Sequence, residues 1–203
     1  AMISLSNLSD DRMRHAKSGQ WYLTEGQRAL ANNSVCYTEK PDMATFLREW
    51  TSLVESKSGE RGLFNRVASQ KQAAKNGRRD SNYEFGTNPC SEIILRPYQF
   101  CNLSEVVARP DDTRETLAEK VRLATILGTI QSTLVHFPYL RKCWTENTAE
   151  ERLLGVSLTG IMDCRAISLG PDAVEILEEL KAVAVATNKI WAYEFGIPVS
   201  TAI

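Results

Sequence analysis

No stretch of this sequence approaches the roughly 20 consecutive apolar residues that a membrane-spanning helix needs, and nothing at its start reads as a secretory leader. Neither sign of charge dominates: 24 Lys and Arg stand against 25 Asp and Glu, for a net charge of −1. A chain so balanced generates no field that would draw nucleic acid or an acidic lipid surface, so neither is expected as a partner. The five cysteines, at 36, 90, 101, 143 and 164, are odd in number and contain no Cys-x-x-Cys pair. That pattern argues against a disulfide framework and a structural zinc site, and the thiols are expected reduced, in the cytoplasm. An internal repeat, a low-complexity tract and a Gly-rich phosphate loop are also missing. What is present is an ordinary globular composition, 43% hydrophobic and 24% charged, in 203 residues that suffice for one domain with a core.

The chemistry is concentrated in Gly86-Thr-Asn-Pro-Cys-Ser-Glu-Ile-Ile-Leu95 and the following Gln99-Phe-Cys-Asn-Leu-Ser-Glu-Val106. Cys90 has an amide two residues before it, Asn88, and a carboxylate two residues after it, Glu92; Cys101 follows eleven positions on. Pro89 lacks an amide donor and biases Asn88 towards extended backbone, which predicts a tight, stiff loop at Cys90 rather than a helix. If the backbone there runs extended, Asn88, Cys90 and Glu92 share one face. The run Ile93-Ile94-Leu95 reads as a short buried strand. A carboxylate beside a thiol disfavours the thiolate. The local charge therefore suits a thiol that reacts by losing a hydrogen atom better than one that attacks as an anion. Glu92 would act on a substrate hydroxyl as base or hydrogen-bond acceptor, and Asn88 would orient a second hydroxyl.

Asn88-Pro89-Cys90-Ser91-Glu92 resembles the finger-loop motif of ribonucleotide reductases, Asn-Pro-Cys-x-Glu. The longer wording from Gly86 to Leu103 is similar to the adenosylcobalamin-dependent, monomeric class that reduces ribonucleoside triphosphates. Gly62-Leu-Phe-Asn-Arg66, the Gly-Arg-Arg before the finger, and Arg152 to Asp163 carry the likeness further. The resemblance implies a thiyl radical on Cys90, ribose hydroxyls held by Glu92 and Asn88, and Cys101 as one of the two thiols that deliver electrons. It also implies adenosylcobalamin as the radical source, a ribonucleoside triphosphate as substrate, a deoxynucleotide effector and a thioredoxin-type reductant. The implied fold is α/β: part of a ten-stranded α/β barrel, residues 1–203 forming one catalytic barrel domain with its finger loop at about 86–95. The work implied is deoxyribonucleotide supply for DNA synthesis and repair.

Around that centre the periodicity predicts the remaining elements. Ile3 and Leu5 alternate with serines as in a strand; residues 10–17 read as a short surface helix, and Asn32 to Thr38 as a loop entering a strand. His15 is read as solvated and Cys36 as core. Pro41 opens a helix whose Phe46, Trp50, Leu53 and Val54 are expected to pack in the core, with Ser58-Gly59 as its stop. The basic stretch from Lys71 to Arg79 is read as a solvated helix end and loop. After a turn at Pro110 to Thr113, a long buried helix is marked by Leu117, Val121, Ala124, Leu127, Gly128, Gln131, Leu134 and Val135, with His136 after its last turn. Thr148-Ala-Glu-Glu151 reads as a capping box opening the segment 152–163. Cys143 and Cys164 are read as plain thiols. A last helix runs from about Asp172 to Gly196, with Val174, Leu177, Leu180, Ala184, Thr187 and Trp191 inward.

Both ends read as cut through structure, and residues 200–203 look like the start of a strand. The expectation is a gene fragment or extein piece, inactive by itself. Two other readings stay open: the large subunit of a metal-radical ribonucleoside-diphosphate reductase, and an inactive barrel fragment that only packs or binds.

Overall fold

The fold is described from a computed structural model covering residues 2–168 and 170–203. The chain divides into two compact units, one ending at Pro97 and the other spanning Tyr98–Ile203. Among the described residues the strands form sheets of three, two and two, so the fold is mixed α/β with small sheets.

In the first unit, β1 (Met2–Ser6) pairs in parallel with β2 (Ala31–Tyr37), and β2 pairs in parallel with β3 (Gly62–Asn65). Parallel neighbours need crossovers. The first is built from α1 (Asp11–Arg14), α2 (Trp21–Thr24) and a 3-10 turn at Gly26–Leu30; the second is α3 (Met43–Ser56). β2 lies in the middle, and its Asn33, Ser34, Val35 and Tyr37 are buried. Buried polar groups need partners: the Ser6 hydroxyl donates to Asn33 Oδ1 at 3.1 Å, and the Asn33 amide donates to the Met13 carbonyl. The approach at Gly62 is also close: a Cβ there would lie 2.7 Å from Ser34 Oγ, and the serine hydroxyl would have to shift.

The sequence places α3 correctly but not its buried face. Asp42 caps the helix by accepting from Thr45 N–H at 2.9 Å, and Lys57 ends it in the left-handed region at φ 53°. The side turned inward carries Glu49, only 2% exposed, whereas Trp50 and Val54 of the expected core stripe are 48% and 61% exposed, beside exposed Met43 and Leu47. An ion network decides this. Glu49 accepts from Arg61 Nε and Nη2 at 3.1 and 3.0 Å and from Arg14 Nε and Nη2 at 3.0 and 2.7 Å.

α4 (Arg66–Ala74) follows β3 directly, capped by Asn65, whose side chain accepts from Ala68 N–H at 2.9 Å. The unit closes with the antiparallel pair β4 (Gly86–Thr87) and β5 (Ile94–Leu95).

In the second unit, β6 (Asn102–Val107) pairs in parallel with β7 (Leu154–Thr159). Alternation along β6 is strict: Asn102, Ser104 and Val106 are buried and Leu103, Glu105 and Val107 exposed. Against this pair packs α5 (Arg114–Gln131), and α8 (Ala173–Glu194) packs on α5, with α6 (Lys142–Glu151) and α7 (Arg165–Ser168) in the connections. The core joins Val106, Leu117, Val121, Cys164, Ile167 and Leu180. Gly160 adopts φ +75° with the Ala108 carbonyl 2.3 Å from where a Cβ would sit, so only glycine fits this crossing.

Three expectations change here. α5 ends at Gln131, so Leu134 and Val135, read as part of the helix, lie beyond it, and Leu127 and Leu134 are 60% and 70% exposed. Residues 148–151 end α6 instead of opening a helix, and a strand follows; Arg152 turns the chain with φ 48°. Val174 and Leu177 of α8 are exposed, and no strand forms at 200–203. No helix of the described residues is long and apolar enough to cross a membrane.

Candidate functional site

Cys90 stands at the tip of a hairpin. Gly86 pairs with Leu95 and Thr87 with Ile94, and residues 88–93 form the loop between them. Asn88 closes that loop, as a short side chain that can bond nearby backbone is suited to do. Its N–H donates to the Ile93 carbonyl at 3.2 Å, its carbonyl accepts from Ser91 N–H at 3.0 Å, and its Oδ1 accepts from Ile93 N–H at 3.0 Å. Ser91 turns the chain with φ 68°.

The loop is tight, as Pro89 suggested, but it is not extended, so the two-residue alternation of a strand does not govern it. Asn88 and Glu92 meet by another route. The turn brings them together and the Asn88 amide donates directly to Glu92 Oε1. Cys90 and Glu92 are exposed and Asn88 is half-buried. Ile94 and Leu95 form a strand, half-buried where the sequence suggested full burial.

Four side chains from elsewhere in this unit grip the hairpin through backbone carbonyls. Arg66 Nε donates to Phe85 O at 2.9 Å and Gln70 Nε2 to Tyr83 O at 3.2 Å, both from α4. Arg79 donates to Ile94 O at 2.9 Å while its guanidinium lies 4.6 Å from the centroid of the fully buried Phe85 ring. Asn32 Nδ2, from β2, donates to Pro89 O at 2.7 Å. Arg79 is 8% exposed, which corrects the reading of its stretch as solvated throughout. Arg66 lay in a stretch that carried the family likeness; Asn32 carried no signal, because its partner is 57 residues away.

Cys101 belongs to the second unit, half-buried in the residue before β6. Both neighbours are fixed. Asn102 donates through its N–H and its side-chain amide to the Leu153 carbonyl at 2.9 and 3.0 Å. The Phe100 ring packs 4.6 Å from Trp144 and 5.1 Å from Phe137, and its N–H donates to Thr148 Oγ1 at 3.4 Å. Cys36 lies half-buried in β2, where burial pushes its thiol up against the opposing pull of Arg66. Cys164 is core. Among the described residues no cluster of three or more His, Cys, Asp or Glu has a metal-binding arrangement.

Parallel strands joined by helices, with one unit presenting a thiol at a hairpin tip, make this a mixed α/β fold. A crystal structure described as a B-12-dependent (class II) ribonucleotide reductase matches it with a TM-score of 0.71 and 22% sequence identity. The match covers 98% of this chain and 31% of that one, so the chain spans about a third of that reductase's length. No protein-family model and no curated protein matches the chain.

An exposed thiol fits the role of hydrogen-atom donor to a radical source. A seat for a corrin ring is a different matter. Two pockets, one lined by Arg14, Leu47 and Glu55 and the other by Val121, Leu158 and Leu177, include no residue of the 88–93 loop. Neither pocket is assigned to holding cobalamin.

Proposed function

We propose that this chain forms part of the catalytic region of a ribonucleotide reductase, with Cys90 as the radical-bearing thiol. The observation that carries the reading is the hairpin that lifts Cys90 to an exposed tip, with Asn88 and Glu92 joined to each other in the same six-residue loop. The shared fold supports it. In the proposed reaction the Cys90 thiyl takes the ribose 3′-hydrogen and becomes a thiol. Glu92 accepts a hydrogen bond from the 3′-hydroxyl and Asn88 holds the 2′-hydroxyl, so the Asn88–Glu92 bond gives way to bonds with substrate. Water leaves from C2′. Cys101 and a second thiol outside these 203 residues supply two electrons and two protons and become a disulfide. Cys90 then returns its hydrogen to C3′.

Adenosylcobalamin, when bound, supplies the radical that starts the sequence. This cofactor, a ribonucleoside triphosphate substrate, a deoxynucleotide effector and a thioredoxin-type reductant all come from the family resemblance. So does the ten-stranded barrel, to which β1–β3 and β6–β7 would contribute. The activity is that of the longer polypeptide implied by the 31% coverage.

The test uses that polypeptide and a ribonucleotide deuterated at C3′. Slower deoxyribonucleotide formation with deuterium, and none at all in Cys90→Ser, is the expected result. Undiminished turnover in Cys90→Ser would refute the assignment.

A further inference from the structure

We infer that Asn32 is a positioning residue that fixes Cys90 by holding the carbonyl of Pro89; the inference rests on the reductase reading of the loop. Among the described residues, Asn32 is the one side chain outside the hairpin that hydrogen-bonds to residues 88–93. Arg66, Gln70 and Arg79 grip the stem at Phe85, Tyr83 and Ile94, leaving the tip to Asn32.

The atom it holds matters. The Pro89 carbonyl belongs to the peptide plane that carries the Cys90 nitrogen and Cα, and a peptide plane turns as a unit. On the other side of Cys90, the Ser91 N–H is tied to the Asn88 carbonyl. Cys90 is thus pinned on both flanks, and only the Asn32 tie leaves the hairpin. It leads to β2, the middle strand of the three-stranded sheet. An exposed thiol at a loop tip would otherwise sample many positions, whereas hydrogen transfer needs reacting atoms within about 3–3.5 Å and misplacement by about 1 Å can cost about 100-fold. The contact between Asn88 and Glu92 is made within the loop and does not involve Asn32. Losing Asn32 should therefore slow the chemistry more than it weakens substrate binding.

The experiment places Asn32→Ala and Asn32→Asp in the complete polypeptide. Asp keeps the shape but cannot donate. Both variants should lower kcat about tenfold or more while KM for the ribonucleotide stays within about twofold. Amide exchange at residues 88–93 should accelerate in both, with β1–β3 as protected as before. Normal kcat in both variants, or unchanged exchange at 88–93, would overturn the inference. So would a loss seen with Ala and absent with Asp, which would make the role one of volume. Exchange that accelerates across the whole unit in both variants would show a purely structural residue and overturn it too. If the unsubstituted polypeptide reduces no ribonucleotide, the reductase reading fails while the exchange comparison still decides what Asn32 does to the loop.

Discussion

Glu49 and Arg61 are 2% and 1% exposed at their side chains, and Arg14 joins them at 14%. Such a cluster is sensitive to the loss of one member, because the charges left behind keep their desolvation cost. Glu49→Ala should therefore destabilise the protein by about 3–5 kcal/mol, read as a lower denaturant midpoint; a change within about 0.5 kcal/mol, the range of ordinary surface substitutions, would contradict the buried-network account. At the hairpin tip the expected effect is on chemistry instead. Glu92→Gln keeps an oxygen for Asn88 but removes the charged acceptor, and should lower turnover about 100-fold with little change in melting temperature.

At the scale of elements, the start of α5 offers a pH test. Asp112 accepts from Lys120 Nζ at 2.5 Å, from Arg109 N–H at 2.7 Å and from Thr116 Oγ1 at 2.9 Å. Lys120 above all, with those two donors, outweighs burial and holds its carboxyl below the usual carboxylate range. Its contribution is complete above the ordinary aspartate value near 4 and is lost as pH falls through the lower value of the folded state. Asp112→Asn should lower the melting temperature at neutral pH, and the gap should close at strongly acidic pH. A gap that stays constant would contradict this.

Leu117, fully buried at the start of the same helix, should cost about 2–5 kcal/mol when cut to alanine. That helix also shows what was legible. Periodicity located α3, α5 and α8 to within a few residues, because a 3.6-residue repeat is a local property. It did not tell which apolar residues find a neighbour, and Leu127, Trp50 and Val174 are exposed. The thiol, amide and carboxylate of the loop were legible from spacing and motif. The turn at Ser91 that joins Asn88 to Glu92 was not, because it puts a non-glycine residue in the left-handed region, and neither was the grip of Asn32, whose partner lies 57 residues away.

For the whole molecule, the exposed stripe of Met43, Leu47, Trp50 and Val54 and the outward Leu103 and Val107 of a two-stranded sheet mark surfaces suited to cover. Uncovered strand edges and apolar patches promote association. The isolated 203-residue chain should self-associate in light scattering and reduce no ribonucleotide; a monodisperse monomer would contradict the first expectation, and turnover the second.

The central claim is that Cys90 carries the radical in a cobalamin-dependent reduction. It is tested most directly by assaying the complete polypeptide for deoxyribonucleotide, with and without adenosylcobalamin, beside Cys90→Ser. Product that requires the cofactor and vanishes with the substitution is the expected result. Product formed without cobalamin would contradict the cofactor assignment, and product formed by Cys90→Ser would contradict the role given to the hairpin.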